Sequence, residues 1–186
     1  GASMKLKMIE AKTGEDFEAM RIIRNECASY MTGSTAQISR DEQILWLATL
    51  DRTLVRPFVF ETVQYRDALD VQTDRMTSVR STAVIGYGLC RKLPRYDGTW
   101  WVSGGLLPNW RGQGLGKELF SQLADSVTTT GEICWLDVRT DNEPAIRTYR
   151  SLGFVSVGDP VKKGGLDVIE MFRDPRGPEG RRREIM

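Results

Sequence analysis

Arg111-Gly112-Gln113-Gly114-Leu115-Gly116-Lys117 is the stretch on which the fold turns. It follows an apolar run, Thr99 to Leu107. It opens a segment, Arg111 to Thr129, in which Leu115, Leu119, Leu123 and Val127 recur at helical spacing. A glycine-rich turn between a strand and a helix is suited to binding an anion. Glycines let main-chain N–H groups approach a ligand with no Cβ in the way. Those groups converge on a helix N-terminus, where the dipole adds roughly half a positive charge. Arg111 and Lys117 would add mobile countercharge, and a pyrophosphate is the natural guest. The competing reading is a tight turn with no ligand.

Two familiar phosphate loops fit poorly. The P-loop needs four residues between its first glycine and a Gly-Lys-Ser/Thr. Here only three separate Gly112 from Gly116, and Glu118 follows Lys117 where a magnesium-binding hydroxyl would stand. The dinucleotide fingerprint needs G-x-G-x-x-G after a first strand; here the spacing is G-x-G-x-G, well into the chain.

Outward from the turn, the chain alternates between the two periodicities. Lys5 to Ala11 reads as a strand and Thr13 to Met31 as a helix, with Phe17, Met20, Ile23 and Cys27 on one stripe. Thr32 to Gln37 is loop. Ser39 and Glu42 form a capping box for a helix carrying Ile44, Leu45, Trp46 and Leu47. Arg56 to Val63, Ser81 to Leu93 and Thr99 to Leu107 read as strands, with polar, aperiodic Gln64 to Arg80 as a long hairpin loop. Ile133 to Val138 is a short apolar strand, Asn142 to Leu152 a helix closed by Gly153, and Phe154 to Val157 and Asp167 to Phe172 closing strands. The expectation is one α/β domain over residues 4–173: a central mixed sheet of six to seven strands with helices on both faces. Gly1-Ala2-Ser3 before Met4 reads as an expression scar. Residues 174–186, with Arg181-Arg182-Arg183, read as a disordered tail.

Composition narrows the chemistry. The 186 residues are 40% hydrophobic and 27% charged, in the range of a soluble globular domain. A net charge of +1 gives no strong pull toward nucleic acid, and no run approaches the roughly 20 apolar residues of a membrane helix. No signal peptide is evident, so the cytoplasm is the expected location. Cys27, Cys90 and Cys134 are far apart and odd in number, and read as buried free thiols. Histidine is absent altogether, which removes the commonest zinc ligand and the commonest general base. No metal is expected, and proton transfer falls to carboxylates, tyrosine, cysteine, lysine or water.

Two segments at this separation resemble the GNAT acyl-CoA N-acyltransferases. Arg111, Gly114 and Gly116 match the family's Arg/Gln-x-x-Gly-x-Gly/Ala, and Leu106-Leu107-Pro108-Asn109-Trp110-Arg111 is similar to its usual lead-in. Asp141 to Phe154 is similar to a second family segment, with Asn142, Ala145, Tyr149 and Gly153-Phe154 in place. The resemblance runs from about Ser81 to Phe172.

The resemblance implies acetyl transfer from acetyl-CoA to a primary amine in a direct ternary complex. It places the diphosphate on the turn, Arg111, Gly112, Gln113, Gly114, Leu115, Gly116 and Lys117. It also implies that the fourth and fifth strands splay, with the pantetheine arm along Gly104, Gly105 and Leu106. Unpaired strand groups are ready partners for an amide-bearing arm, and glycine within a strand often marks close approach, a splay or a bulge. The Leu106 N–H would polarise the thioester oxygen, a contribution of roughly 3 kcal/mol where such donors are lost.

Asn142 would hold the arm, and equally suits a helix N-cap. Tyr149, two turns on, would protonate the leaving thiolate; the alternative is a core tyrosine. Asp137, a charge inside an apolar strand, would be the base; the alternative is a strand-end carboxylate paired with Arg139 or Arg147, and Ser103 with water is another route. The acceptor side falls on about Asn25 to Arg40 and Gly158 to Leu166, and Arg24-Asn25, Tyr30-Met31, Ile38-Ser39, Gln43 and Trp46 are similar to the front end of amino-sugar and ribosomal-protein acetyltransferases. Trp46, Trp100 and Trp101 read as core or as acceptor platforms. A non-catalytic acyl-CoA-binding module is the alternative function, and a homodimer stays open.

Overall fold

The computed structural model describes residues 5–32 and 36–177. Its elements run β1 (Leu6–Glu10), α1 (Gly14–Glu26), a 3-10 turn at Ala28–Tyr30, α2 (Arg40–Ala48), β2 (Val55–Asp70), β3 (Arg75–Lys92) and β4 (Thr99–Leu106). A second 3-10 turn, Pro108–Trp110, leads to α3 (Leu115–Thr128), β5 (Ile133–Arg139), α4 (Glu143–Ser151), β6 (Val155–Ser156), β7 (Val161–Lys163) and β8 (Leu166–Arg173). The eight strands form one mixed sheet in the order β1-β2-β3-β4-β5-β8-β6, with β7 also on β8. The expected mixed α/β sheet is present, one strand larger than expected, because β7 is only three residues long and too short to leave a periodic signal.

Helices start where side chains satisfy their orphan amides. Thr13 and Asp16 form a capping box for α1, and Ser39 and Glu42 do so for α2. The α3 stripe of Leu115, Leu119, Leu123 and Val127 is buried against β3, β4 and β5, each side chain contributing about 1.5–3 kcal/mol. Helices α1 and α2 cover the other face over Val59 and Tyr87.

Glycines let α3 seat closely. A Cβ at Gly88 would lie 2.7 Å from Leu123, and one at Gly104 would meet the Tyr87 carbonyl at 2.7 Å. Gly104 and Gly105 pair in register with Gly88 and Tyr87, so they mark close approach and not a bulge; the register shifts instead at Phe60/Glu61.

Gln64 to Arg80 is not a loop. Strands β2 and β3 continue through it in unbroken pairing from Val63/Thr82 to Asp70/Arg75, with the turn only at residues 71–74. A two-stranded ribbon with neither face covered leaves Tyr65, Leu69 and Met76 exposed, so it carries no inside–outside alternation in the sequence. All three cysteines are buried and free. At the far end, Asp174 is buried beside the Arg176 guanidinium, in an ordered turn. Arg181 to Arg183 and Gly1 to Ser3 lie outside the described residues.

Candidate active site

Strands β4 and β5 pair in parallel for three rungs, Thr99/Ile133, Trp100/Cys134 and Trp101/Trp135. Beyond Trp101, β4 has no further partner on β5 among the described residues, and the sheet opens into a wedge. Leu107 N–H donates to Ile85 O on the β3 side at 2.8 Å, so the Leu106 carbonyl faces the open edge, where Arg111 Nε caps it at 3.1 Å. By strand alternation the N–H groups of Gly104 and Leu106 face the same edge.

The glycine turn meets the narrow end of this wedge. Gly112 and Gly114 have φ of +76° and +82°, which exposes their amides with no Cβ cost. The helix begins only at Leu115, where its hydrophobic stripe starts and four residues after the expected opening at Arg111, and Glu118 N–H is the first to reach back, to Gly114 O at 3.4 Å. The amides of residues 112 to 117 therefore find no acceptor among the described residues. Six adjacent unsatisfied donors at a helix N-terminus are the kind of donor set that can hold an anion.

Arg111 is braced where mobility was expected. Besides Leu106 O it reaches Glu26 O at 3.3 Å and Cys27 Sγ at 3.4 Å, and it stacks 4.9 Å from the Tyr30 ring. It ties the turn to the end of α1. Lys117 is exposed, Gly112, Gln113 and Gly114 form the rim, and the Leu115 side chain is core, leaving only its amide to the turn.

Two cavities share the wedge. The first, of about 330 Å³, runs along Gly104, Gly105, Leu106, Arg111, Gly116 and Asn142. The second, of about 530 Å³, lies under α1 and α2 and reaches Arg91, Trp101, Ser103 and Asp137. Tyr149 and Phe120 line both. Tyr149 is 8% exposed, held edge-on by Phe120 at 4.9 Å and flanked by Phe154 at 5.9 Å. Burial, and more weakly Cys134, pushes its phenol above the ordinary tyrosine range, so it stays protonated at neutral pH. Asn142 Oδ1 accepts from Ala145 N–H as the N-cap of α4, and its residue also lines the narrow cavity.

Asp137 is 8% exposed in its side chain, with a partner that spacing did not suggest. Its Oδ2 accepts from Lys163 Nζ on β7 at 2.9 Å, not from Arg139 or Arg147, and Arg147 pairs instead with Glu143. Its Oδ1 is buried with no partner among the described residues, although Asp137 lines the larger cavity. Burial opposes the charge on Lys163. The hydrogen bond and charge of Asp137, then those of Glu170, outweigh it and hold the ammonium above the ordinary lysine range. Lys162-Lys163 beside Gly164-Gly165 looks like a solvated hairpin tip in sequence, so Lys163 carried no signal. Trp100 is core, while Trp46 and Trp101 line the larger cavity.

The model of the Acetyltransferase (GNAT) family matches residues 39–154. The chain belongs to that family. Among GNAT relatives, the N-alpha-acetyltransferase RimI of Mycobacterium tuberculosis is 38% identical over 77 residues, 40% of this chain and 48% of that protein. The [ribosomal protein bS18]-alanine N-acetyltransferase of Escherichia coli K12 is 44% identical over 48 residues, 25% of this chain and 32% of that protein. The chain thus spans less than half the length of these curated GNAT proteins. The spermidine N-acetyltransferase of Vibrio cholerae, solved with CoA and spermine, shares the fold with a TM-score of 0.69 at 20% identity, over 92% of this chain and 96% of that one. Among the described residues, no helix is long and apolar enough to cross a membrane.

Proposed function

We propose that this chain transfers the acetyl group of acetyl-CoA to a primary amine by direct attack in a ternary complex. The observation that carries it is the meeting, at Tyr149, of a cavity edged by bare main-chain donors with a second cavity holding a buried, half-unpaired carboxylate. Acetyl-CoA supplies the acyl group already activated as a thioester.

The donor side suits that molecule. The amides of residues 112–117 hold the diphosphate, with Lys117 at the rim; the open edge at Gly104 and Leu106, facing Asn142, holds the amide-bearing arm. The Leu106 N–H is the donor for the thioester oxygen as negative charge develops there. On the acceptor side, the ammonium gives its proton to Asp137, whose Oδ2 Lys163 holds in place. The free amine attacks the carbonyl. Tyr149, kept protonated by burial, gives its proton to the sulfur as the C–S bond breaks, and the second proton that the nitrogen loses as the amide forms returns to the Tyr149 oxygen. Of these groups Leu106 lines the narrow cavity, Asp137 the larger one, and Tyr149 both.

Calorimetry with acetyl-CoA, paired with thiol release over a panel of amines, tests this reading. Micromolar binding and amine-dependent thiol release support it. Binding without release from any amine would make the chain a non-catalytic acyl-CoA-binding module. No binding at millimolar acetyl-CoA to folded protein defeats both.

A further inference from the structure

We infer that the acceptor is a single amine on an apolar body that also carries an anion, such as a short peptide with a free carboxylate, and not a polyamine. This rests on the acetyl-transfer reading and concerns what the larger cavity admits.

Three arginines, Arg21, Arg24 and Arg91, line that cavity against two carboxylates, Glu42 and Asp137. Lys163 stands directly behind Asp137. Glu18 already pairs with Arg21 and Glu170 with Lys163, so a polycation's second ammonium would have to compete for carboxylates already engaged. Glu42 Oε2 accepts from the Ser39 N–H, and Asp137 Oδ2 holds Lys163. One buried acceptor, Asp137 Oδ1, is left over for one ammonium. Desolvated like charges disfavour a second.

The cations differ in what they have left to offer. Arg21 is held by both carboxylate oxygens of Glu18 and by Ile38 O, and Arg24 donates to Ala36 O. Arg91 is exposed, stacks on the Trp101 ring at 5.4 Å, and pairs with no carboxylate among the described residues. A guanidinium pinned on an indole keeps its donor edge pre-oriented for a carboxylate.

Arg91, Trp101 and Trp135 are lateral neighbours in the sheet, and Asp137 is two residues beyond Trp135, so all four side chains share one face. Two strand spacings across the sheet and two residues along β5 put the Arg91 and Asp137 backbones about 12 Å apart. An extended tripeptide spans about 10 Å. The walls between are Met31, Trp46, Tyr87, Leu89 and Trp101, which suit an apolar body.

The test measures kcat/KM for CoA release from acetyl-CoA with three acceptor sets. These are apolar tripeptides with a free carboxylate, the same tripeptides as C-terminal amides, and spermidine. The free acids should exceed the amides about tenfold, the worth of one partly exposed charge-assisted pair, with spermidine slowest. Arg91→Gln should bring acids and amides within about twofold and leave acetyl-CoA affinity by calorimetry unchanged. The inference is overturned if spermidine is fastest, if acids and amides are equal in the wild type, or if the ratio survives Arg91→Gln. It is also overturned if acetyl-CoA binds and no peptide reacts. Failure to bind acetyl-CoA defeats the underlying reading instead.

Discussion

The two cavities that meet at Tyr149 are built from different materials. The narrow one takes much of its edge from main chain, the open side of β4 with its two glycines and Gly116 of the glycine turn, beside side chains such as Phe120, Asn142 and Tyr149. The wide one is lined by side chains from α1, α2, β3, β4 and β5, with Lys163 of β7 reaching in behind. Main-chain donors recognise what all acyl-CoA donors share, whereas side chains can change one at a time. On the acetyl-transfer reading proposed above, the difference separates a general donor site from a particular acceptor site.

The residue at the boundary offers the largest test of that division. Tyr149→Phe should lower kcat by about 10²- to 10³-fold, the usual worth of a positioned proton donor, while acetyl-CoA affinity stays within about twofold. Burial raises the phenol's pKa above its ordinary value, so the acid form persists as pH rises through neutrality. The wild-type rate should therefore not fall between pH 8 and about 10, the reference tyrosine pKa, on account of this residue. A fall there that disappears in Tyr149→Phe would place the proton donor's pKa in the ordinary range.

The main-chain wall should break by collision. Gly104→Ala puts a methyl 2.7 Å from the Tyr87 carbonyl, a backbone atom that has nowhere to go. A loss of about 1–3 kcal/mol in urea unfolding is expected. Gly105→Ala instead meets the Cys27 sulfur at 2.6 Å, so adding Cys27→Ala should recover most of its loss. Equal rescue of both glycine variants by Cys27→Ala would mean that the strand only bends here.

The side-chain wall should yield in a graded way. Lys163→Met should lower kcat about tenfold, since the ion pair it removes is partly exposed on the lysine side, and acetyl-CoA affinity should hold. Lys163→Arg should restore most of the activity. A purely structural lysine would show a stability loss with no selective fall in kcat.

The glycine turn within residues 104–117 and the capped helix of residues 141–154 were readable, because a glycine at a strand–helix junction and an Asn–Tyr pair two turns apart impose their geometry locally. The β2–β3 ribbon was not, because strands with both faces in water need no alternation. Lys163 was not readable either: 26 residues separate it from Asp137, and only the β5–β8–β7 pairing brings the two together.

By itself, then, the sequence determined the alternating strands and helices, the bare-amide turn and the buried thiols, all of which follow from local periodicity and backbone freedom. Tertiary structure alone decided how far β4 and β5 stay paired, which cation faces Asp137, and that Arg91 at the wide cavity stacks on Trp101 and pairs with no carboxylate among the described residues. Those outcomes depend on side chains from distant segments competing for the same partners, and no single stretch of chain contains that competition.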